Sequence, residues 1–230
     1  MPSISENIIS VKERIKYAAE RSGRDWREIK IVAVTKTFPA EYIIEAYKYG
    51  IKDIGENKVQ EAFSKYSVIS KGVNWHLVGH LQTNKVKKAL EIFDLIHSVD
   101  SIRLAEEINK RAVSLNKVAE VLVEVNTTSE DSKFGVTPKK TVEFVKEISQ
   151  LSNIAVMGLM TIGVFSENPE DSRKYYVMLR ELKDQLEDYN LGNGKMKYLS
   201  MGMSNDFEVA VEEGANIVRI GTAIFGNREG

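Results

Sequence analysis

Ile31-Val32-Ala33-Val34-Thr35-Lys36-Thr37 is a short apolar, β-branched run that closes on a lysine. Such a run reads as a strand buried on both faces, as in a parallel sheet covered by helices. Phe38 and Pro39 follow, and the proline opens the next helix. A strand of this kind delivers one amine to its C-terminal tip. Desolvation there disfavours the ammonium form and is expected to lower the amine from its reference of roughly 10.4. A neutral lysine condenses with an aldehyde or ketone, whereas an ammonium does not. The competing reading has Lys36 snorkelling past the strand end to pair with a carboxylate. The tips of the other strands bear on the choice.

Outward from this run the chain alternates. A helix over Ser5–Arg21 precedes it, stopped by Ser22-Gly23, where glycine supplies a left-handed cap. After the first strand, Lys30–Lys36, comes a helix over Pro39–Tyr49 with Ile43, Ile44, Ala46 and Tyr47 on its inner side. Further strands are expected at Asp53–Asn57, Asn74–Gly79, Leu95–Val99, Ala119–Asn126, Ile154–Thr161, Lys197–Met201 and Ile217–Gly221. Helices fall between them at Lys58–Ser67, Asn84–Ile92, Ser101–Leu115, Pro138–Gln150, Pro169–Tyr189 and Asp206–Glu213, and Thr222–Gly226 is a glycine-closed turn. Ser101 is a candidate cap, and Thr137-Pro138 pairs a cap with a first-position proline. Eight such units point to an α/β fold, a (β/α)8 barrel of the TIM type with an extra N-terminal helix. No linker or low-complexity tract interrupts residues 1–230, so one domain is expected.

Composition narrows the function classes. Lysine plus arginine (32) nearly balance aspartate plus glutamate (33), a net charge of −1. No global field draws the chain to nucleic acid or an anionic membrane. Without cysteine, disulfides, thiolate nucleophiles and cysteine-ligated zinc are excluded. Charges are interspersed through Met1–Arg24, so no secretory apolar core is present. No run approaches the roughly 20 apolar residues of a membrane span. A cytoplasmic protein is expected.

In such a barrel chemistry lies at the C-terminal rim. The strand ends present Lys36; Glu56 and Asn57; His80; Ser98; Asn126; Thr161; Ser200, Gly202, Met203 and Ser204; and Arg219, Gly221 and Thr222. Loops after the seventh and eighth strands often hold phosphate. Here glycines let backbone amides approach an anion and hydroxyls donate to it. The plainer alternative is that these residues only cap helices and make turns. Gly221–Gly226 has phosphate-loop spacing, but Asn227-Arg228 replaces the lysine and hydroxyl of a nucleotide P-loop. A carbonyl-reactive lysine opposite a phosphate cup suits a phosphorylated carbonyl ligand, pyridoxal phosphate (PLP) or a sugar phosphate.

Several motifs occur together and in order: Val32-Ala33-Val34-Thr35-Lys36, Gly55-Glu56-Asn57, the segment Trp75–Lys85 with its Gly79-His80-Leu81-Gln82, Ser200-Met201-Gly202-Met203-Ser204-Asn205-Asp206, and Arg219–Gly226. They resemble the pyridoxal phosphate homeostasis protein family, over essentially the whole chain. The resemblance implies a barrel like that of alanine racemase and ornithine decarboxylase standing alone. It implies a vitamin B6 protein that holds PLP as a Schiff base and regulates its intracellular level, without established catalysis. Carried over by motif, Lys36 is the Schiff-base lysine. Ser200, Gly221 and Thr222 match the phosphate-binding segments, helped by amides near Ser204. Arg219 faces the ring nitrogen, and Asn57 and His80 touch the ring or its hydroxyl. A guanidinium cannot accept a proton, so the ring nitrogen would stay unprotonated and the ring would be a poorer electron sink.

A racemase of this lineage resembles a two-domain design in which a second domain and a partner subunit supply another acid/base group. The chain ends just beyond the eighth strand, which favours a monomeric binding and delivery role with apo PLP enzymes as recipients. A weak racemase or related enzyme is the main alternative, followed by a Schiff-base aldolase; a pure scaffold leaves the tip lysine without a use. His76 and His80, with His97 the third histidine, are spaced to share one strand face. They read as structural or PLP-facing rather than metal-binding. Lys85, Lys87 and Lys88 read as a solvated face, Met157, Met160, Met201 and Met203 as core filling, and Lys133 as a solvent-exposed amine or a second one near the rim.

Overall fold

Runs of β-branched and aliphatic residues become strands here, and each is too short to bury itself without neighbours on both sides. The computed structural model describes residues 3–69, 72–128, 130, 134–164 and 166–226. Its strands are β1 (Lys30–Val34), β2 (Asp53–Glu56), β3 (Asn74–Leu77), β4 (Leu95–Val99), β5 (Ala119–Glu124), β6 (Ile154–Met160), β7 (Tyr198–Ser200) and β8 (Ile217–Ile220). All pair in parallel and in sequence order, and β8 returns to β1 to close a barrel. The expected barrel is the observed one.

Around it run α1 (Ile4–Arg21), α2 (Ala40–Lys48), α3 (Val59–Tyr66), α4 (Val86–Ile92), α5 (Ile102–Ser114), α6 (Pro138–Ile148), α7 (Arg173–Asp184), α8 (Phe207–Glu212) and α9 (Thr222–Phe225). α1 precedes the barrel and starts with a capping box. The Glu6 amide donates to Ser3 Oγ at 3.2 Å and the Ser3 amide donates back to the Glu6 carboxylate at 2.7 Å. Gly23 takes the left-handed conformation after it, with φ 69°. Ile8, Val11, Ile15, Ala18 and Ala19 form its buried stripe. Among the described residues no helix is long and apolar enough to cross a membrane.

Two apolar layers result. A large one lies between strands and helices. A small one gathers Val32, Val34, Leu95, Leu122, Met160, Tyr198 and Ile217 from six strands, with Val78 just past the end of β3, because these side chains point into the barrel. Period-two alternation then carries the inward side from Leu122 to Glu124, from Tyr198 to Ser200 and from Ile217 to Arg219, and Lys36 follows β1 two residues beyond its end.

Several local expectations are corrected. Ile44 and Tyr47 of α2 are exposed, at 42% and 44%, and only Ile43 and Ala46 are buried. The helix is narrower at its contact than its apolar content suggests. The long helix expected from Pro169 to Tyr189 is a 3₁₀ turn, Pro169–Ser172, followed by α7. Thr222–Gly226 is a single helical turn, α9. Ser101 and Thr137 stand at N-cap positions, but neither side chain bonds a helix amide. An unforeseen 3₁₀ turn, Trp26–Glu28, leads into β1.

Gly158 shows how tightly β6 and β7 approach. Its φ is 149°, and a Cβ there would lie 2.0 Å from the Tyr198 carbonyl oxygen, a backbone atom that cannot swing away. Gly158→Ala is expected to destabilise the fold by about 2 kcal/mol or more. Denaturant unfolding measures it; an unchanged midpoint would show that the two strands separate without cost.

Candidate functional site

The C-terminal rim begins where β1 ends. Lys36 is half-buried two residues beyond Val34. Thr37 follows with φ 71°, a left-handed backbone that a β-branched residue resists, at a cost on the order of 1–3 kcal/mol. A buried ion-pair cluster braces this turn from behind. Lys65 Nζ donates to the Thr35 carbonyl at 2.7 Å, to Glu56 Oε1 at 2.6 Å and to Glu61 Oε1 at 2.8 Å. Glu61 in turn accepts from the Thr37 amide, and Thr35 Oγ1 donates to Glu56 Oε1 at 2.5 Å. Glu56, one of the strand-tip residues, therefore faces the helix layer and not the mouth. Burial raises its carboxyl, against the opposing pull of Lys65 and Thr35.

β8 lies directly beside β1. Ala33 pairs with Ile220, and Gly221 sits against Val34, where an added Cβ would come within 3.4 Å of the Val34 carbonyl oxygen. Lys36 and the Gly221-Thr222 turn thus share one rim on neighbouring strands. Gly221 is the N-cap of α9. The amides of Gly221 and Ala223 both donate to Ser204 Oγ, at 3.2 and 3.1 Å. Two N–H groups converging on one oxygen is the arrangement a phosphate oxygen requires. Asp206 shapes the loop that carries Ser204. Its carboxylate accepts from the Met203 amide at 2.7 Å, from Tyr176 Oη at 2.6 Å and from Ser172 Oγ at 2.9 Å.

Below this rim lies a polar interior. Arg219 is 5% exposed; its Nη1 donates to Ser200 Oγ and its Nη2 to the Thr161 carbonyl, both at 2.8 Å. Ser200 is fully buried and also bonds His97 Nδ1 at 2.9 Å. Its hydroxyl serves the interior, so any contribution of Ser200 to an anion above comes from the backbone near it. Thr161 Oγ1 donates to the Val125 carbonyl at 2.7 Å and bonds Thr127 Oγ1 at 2.9 Å. Burial pushes His97 well below the usual histidine range, with the Arg219 charge acting the same way.

The remaining expected residues lie nearby. Asn57 is half-buried at the tip of β2, and its backbone passes so close to Gly79 that a Cβ at 79 would meet the Asn57 carbonyl oxygen at 2.4 Å. Ser98 Oγ donates to the Gly79 carbonyl at 2.7 Å, fixing the same crossing. His80 does not share a face with His76. β3 ends at Leu77, so strand alternation is not carried to residue 80. His80 stacks on Phe134, centroids 3.9 Å apart, with Nδ1 3.5 Å from Asp100. Lys133 lies outside the described residues. Among the described residues no three His, Cys, Asp or Glu side chains gather as metal ligands.

Glu124 and His97 were not singled out from sequence. Both sit in runs that look apolar, Val121–Val125 and Leu95–Val99. The available signal was a polar residue in step with inward-facing neighbours, Glu124 with Leu122.

Known proteins were compared with this chain. Residues 7–229 match the family described as alanine racemase, N-terminal domain. A pyridoxal phosphate homeostasis protein of Aquifex aeolicus is 49% identical over 226 residues, covering 97% of this chain and 98% of the relative. Among solved structures, PipY of Synechococcus elongatus with PLP bound superposes with a TM-score of 0.80 at 33% identity, over 97% of this chain and 100% of that one. A Bifidobacterium adolescentis protein described as unknown superposes with a TM-score of 0.91 at 37% identity, covering 96% and 94%.

The interior also predicts a pH dependence. Burial, together with the Asp100 charge, pushes the Glu124 carboxyl up to about 7 against the pull of Arg219. The folded chain then keeps a proton that the unfolded chain has lost, so stability falls as pH rises from about 4.5 to 7. Replacing Glu124 by Gln removes that slope. Between about pH 4 and about pH 8 the variant should gain roughly 3 kcal/mol relative to the wild type. Denaturant unfolding at both pH values measures it, and parallel profiles would place the carboxyl in open water.

Proposed function

This chain belongs to the alanine racemase N-terminal domain family and, within it, to the pyridoxal phosphate homeostasis proteins; from that premise we propose that it holds PLP reversibly and passes it on. One observation carries the reading. Lys36, half-buried just past the end of β1, shares a rim with the neighbouring turn after β8, whose Gly221 and Ala223 amides already converge on one oxygen, above the buried guanidinium of Arg219.

The residues present fit the cofactor. The Gly221–Ala223 turn, with the Thr222 hydroxyl and Ser204, would take the phosphate; Ser200 contributes through its backbone. Arg219 would face the ring nitrogen, and Asn57 and His80 would flank the ring. PLP supplies an aldehyde carbon, and Lys36 supplies the amine that closes a Schiff base with it. With Arg219 facing it, the ring nitrogen would stay unprotonated, and electron withdrawal by the ring would be weak. A carrier benefits from that, because its cargo does not react while held. The bound PLP homologue PipY and the name of the Aquifex relative support the ligand class. The reading includes a single barrel domain over residues 1–230, acting as a cytoplasmic monomer and delivering to apo PLP enzymes. The cysteine-free sequence suits a reducing compartment.

A second reading has one observation in its favour. Glu124 is an inward carboxyl poised to titrate near neutrality, as a general acid or base must be. A weak amino-acid racemase would use it.

Three measurements separate these. Purified protein mixed with PLP should show a visible Schiff-base absorbance that Lys36→Ala abolishes; the same band in both would overturn the anchor. Mixed with an apo PLP enzyme, the loaded protein should activate it faster than an equal amount of free PLP; equal rates would contradict delivery. Lys36-dependent α-carbon exchange of amino acids in deuterated water would favour the enzyme.

A further inference from the structure

A single file of hydrogen bonds runs through the barrel from one end to the other. It starts at Asp53, the first residue of β2, at the face opposite the candidate site. Asp53 Oδ1 meets His76 Nε2 at 3.0 Å, His76 Nδ1 meets His97 Nε2 at 2.9 Å, and His97 Nδ1 meets Ser200 Oγ at 2.9 Å. Ser200 Oγ then accepts from Arg219 Nη1 at 2.8 Å. All five side chains are buried, His97 and Ser200 completely.

The direction of the donors follows from the chemistry of the two ends. Arginine only donates, and a carboxylate only accepts. If His97 donated from Nδ1 to Ser200, the serine hydroxyl would accept twice, and its own hydrogen would have no acceptor in the interior. The arrangement that leaves no serine or histidine hydrogen of the file unbonded runs one way. Arg219 donates to Ser200, Ser200 to His97 Nδ1, His97 Nε2–H to His76 Nδ1, and His76 Nε2–H to Asp53. The far carboxylate is kept ionised. Burial works to raise it, but the hydrogen bonds from His76 and Asn74 and the Lys30 charge lower it.

We propose that Asp53, His76, His97 and Ser200 are positioning residues for Arg219: a one-way relay, with both histidines carrying their proton on Nε2, that orients the guanidinium from the opposite end of the barrel. The relay matters to function through the reading of Arg219 as the group facing the PLP ring nitrogen, and it deepens that reading. Each link polarises the next, so the serine oxygen is a stronger acceptor than an isolated hydroxyl. It can hold one edge of the guanidinium while the Thr161 carbonyl holds the other. A small cleft of about 200 Å³, lined by Lys30, Asp53, Asn74, His76, Glu120 and Tyr198 among others, opens at the far end. That gives substitutions at Asp53 a place remote from the ligand.

The test begins without PLP. Long-range proton–nitrogen NMR of protein labelled at its three histidines reads each tautomer. In the wild type at neutral pH, His76 and His97 should both be neutral with the proton on Nε2. Asp53→Ala should scramble both, whereas Asp53→Asn, whose amide oxygen still accepts from His76, should preserve them. A wild-type His97 protonated on Nδ1, a doubly protonated His76, or a His97 signal indifferent to Asp53→Ala would each overturn the relay. If Asp53→Ala does not fold, Ser200→Ala reads the other end: both histidines, still held by Asp53, should keep the proton on Nε2 while the His97 Nδ1 resonance shifts as that nitrogen loses its donor, and an unmoved His97 Nδ1 resonance would refute the relay. With PLP added, Asp53→Ala should release it roughly tenfold faster than the wild type, the loss of one charge-assisted hydrogen bond, and Asp53→Asn should release it at nearly the wild-type rate. Equal release from all three proteins would end the positioning role. A wild type that gives no Schiff-base absorbance fails the PLP reading alone, because the NMR result stands independently of it.

Discussion

A guanidinium in the core of a closed barrel is the constraint to which the rest of the interior answers. Moving a charge out of water costs several kcal/mol even after relaxation, and Arg219 is left with 5% of its surface. Burial accordingly lowers its affinity for its proton, and the nearby Tyr176, Glu124 and Asp206 oppose that. The serine, two histidines, threonine and distant aspartate below it would be poor core residues in any other barrel. Together they supply acceptors for two of the Arg219 N–H groups, the Ser200 hydroxyl and the Thr161 carbonyl, and tie that hydroxyl through the histidines to Asp53. The apolar layer inside the barrel is correspondingly small.

A second buried charge is solved differently. Lys65 lies between β1, β2 and α3, where Glu56, Glu61 and the Thr35 carbonyl surround its ammonium. This cluster sits outside the barrel wall, immediately behind the turn that follows Lys36. Through Glu61 it holds the Thr37 amide in a backbone conformation that the residue would otherwise leave. One amine is thus locked into structure while the next, two residues from the inner apolar layer, is presented at the rim. Residue type does not distinguish the two lysines; their place in the fold and their neighbours do.

Much of this was legible in the sequence. Most barrel strands are dense apolar runs between turn-forming residues, and the alternation with helices placed the rest, so all eight could be placed, along with the rim residues Lys36, Asn57, Ser204 and Gly221. What was hidden has a common cause. Glu124, His97 and Asp53 face the interior because of register between distant strands, and no local pattern encodes that. The orientation of Ser200 was hidden in the same way: a serine at a strand tip looks like an anion ligand until its partners across the barrel are known. His80 failed for the opposite reason, since alternation was extended beyond the end of β3. Ile44 and Tyr47 show that an apolar residue on a helix need not find a partner.

The central claim is that one particular amine, among many on this chain, forms the bond to PLP. Borohydride reduction of the PLP-treated protein makes that bond permanent, and peptide mass mapping then locates it. The account predicts a stoichiometric adduct on the peptide bearing Lys36 and little elsewhere. An adduct spread over surface lysines, or concentrated on a lysine away from the β1–β8 rim, would contradict it.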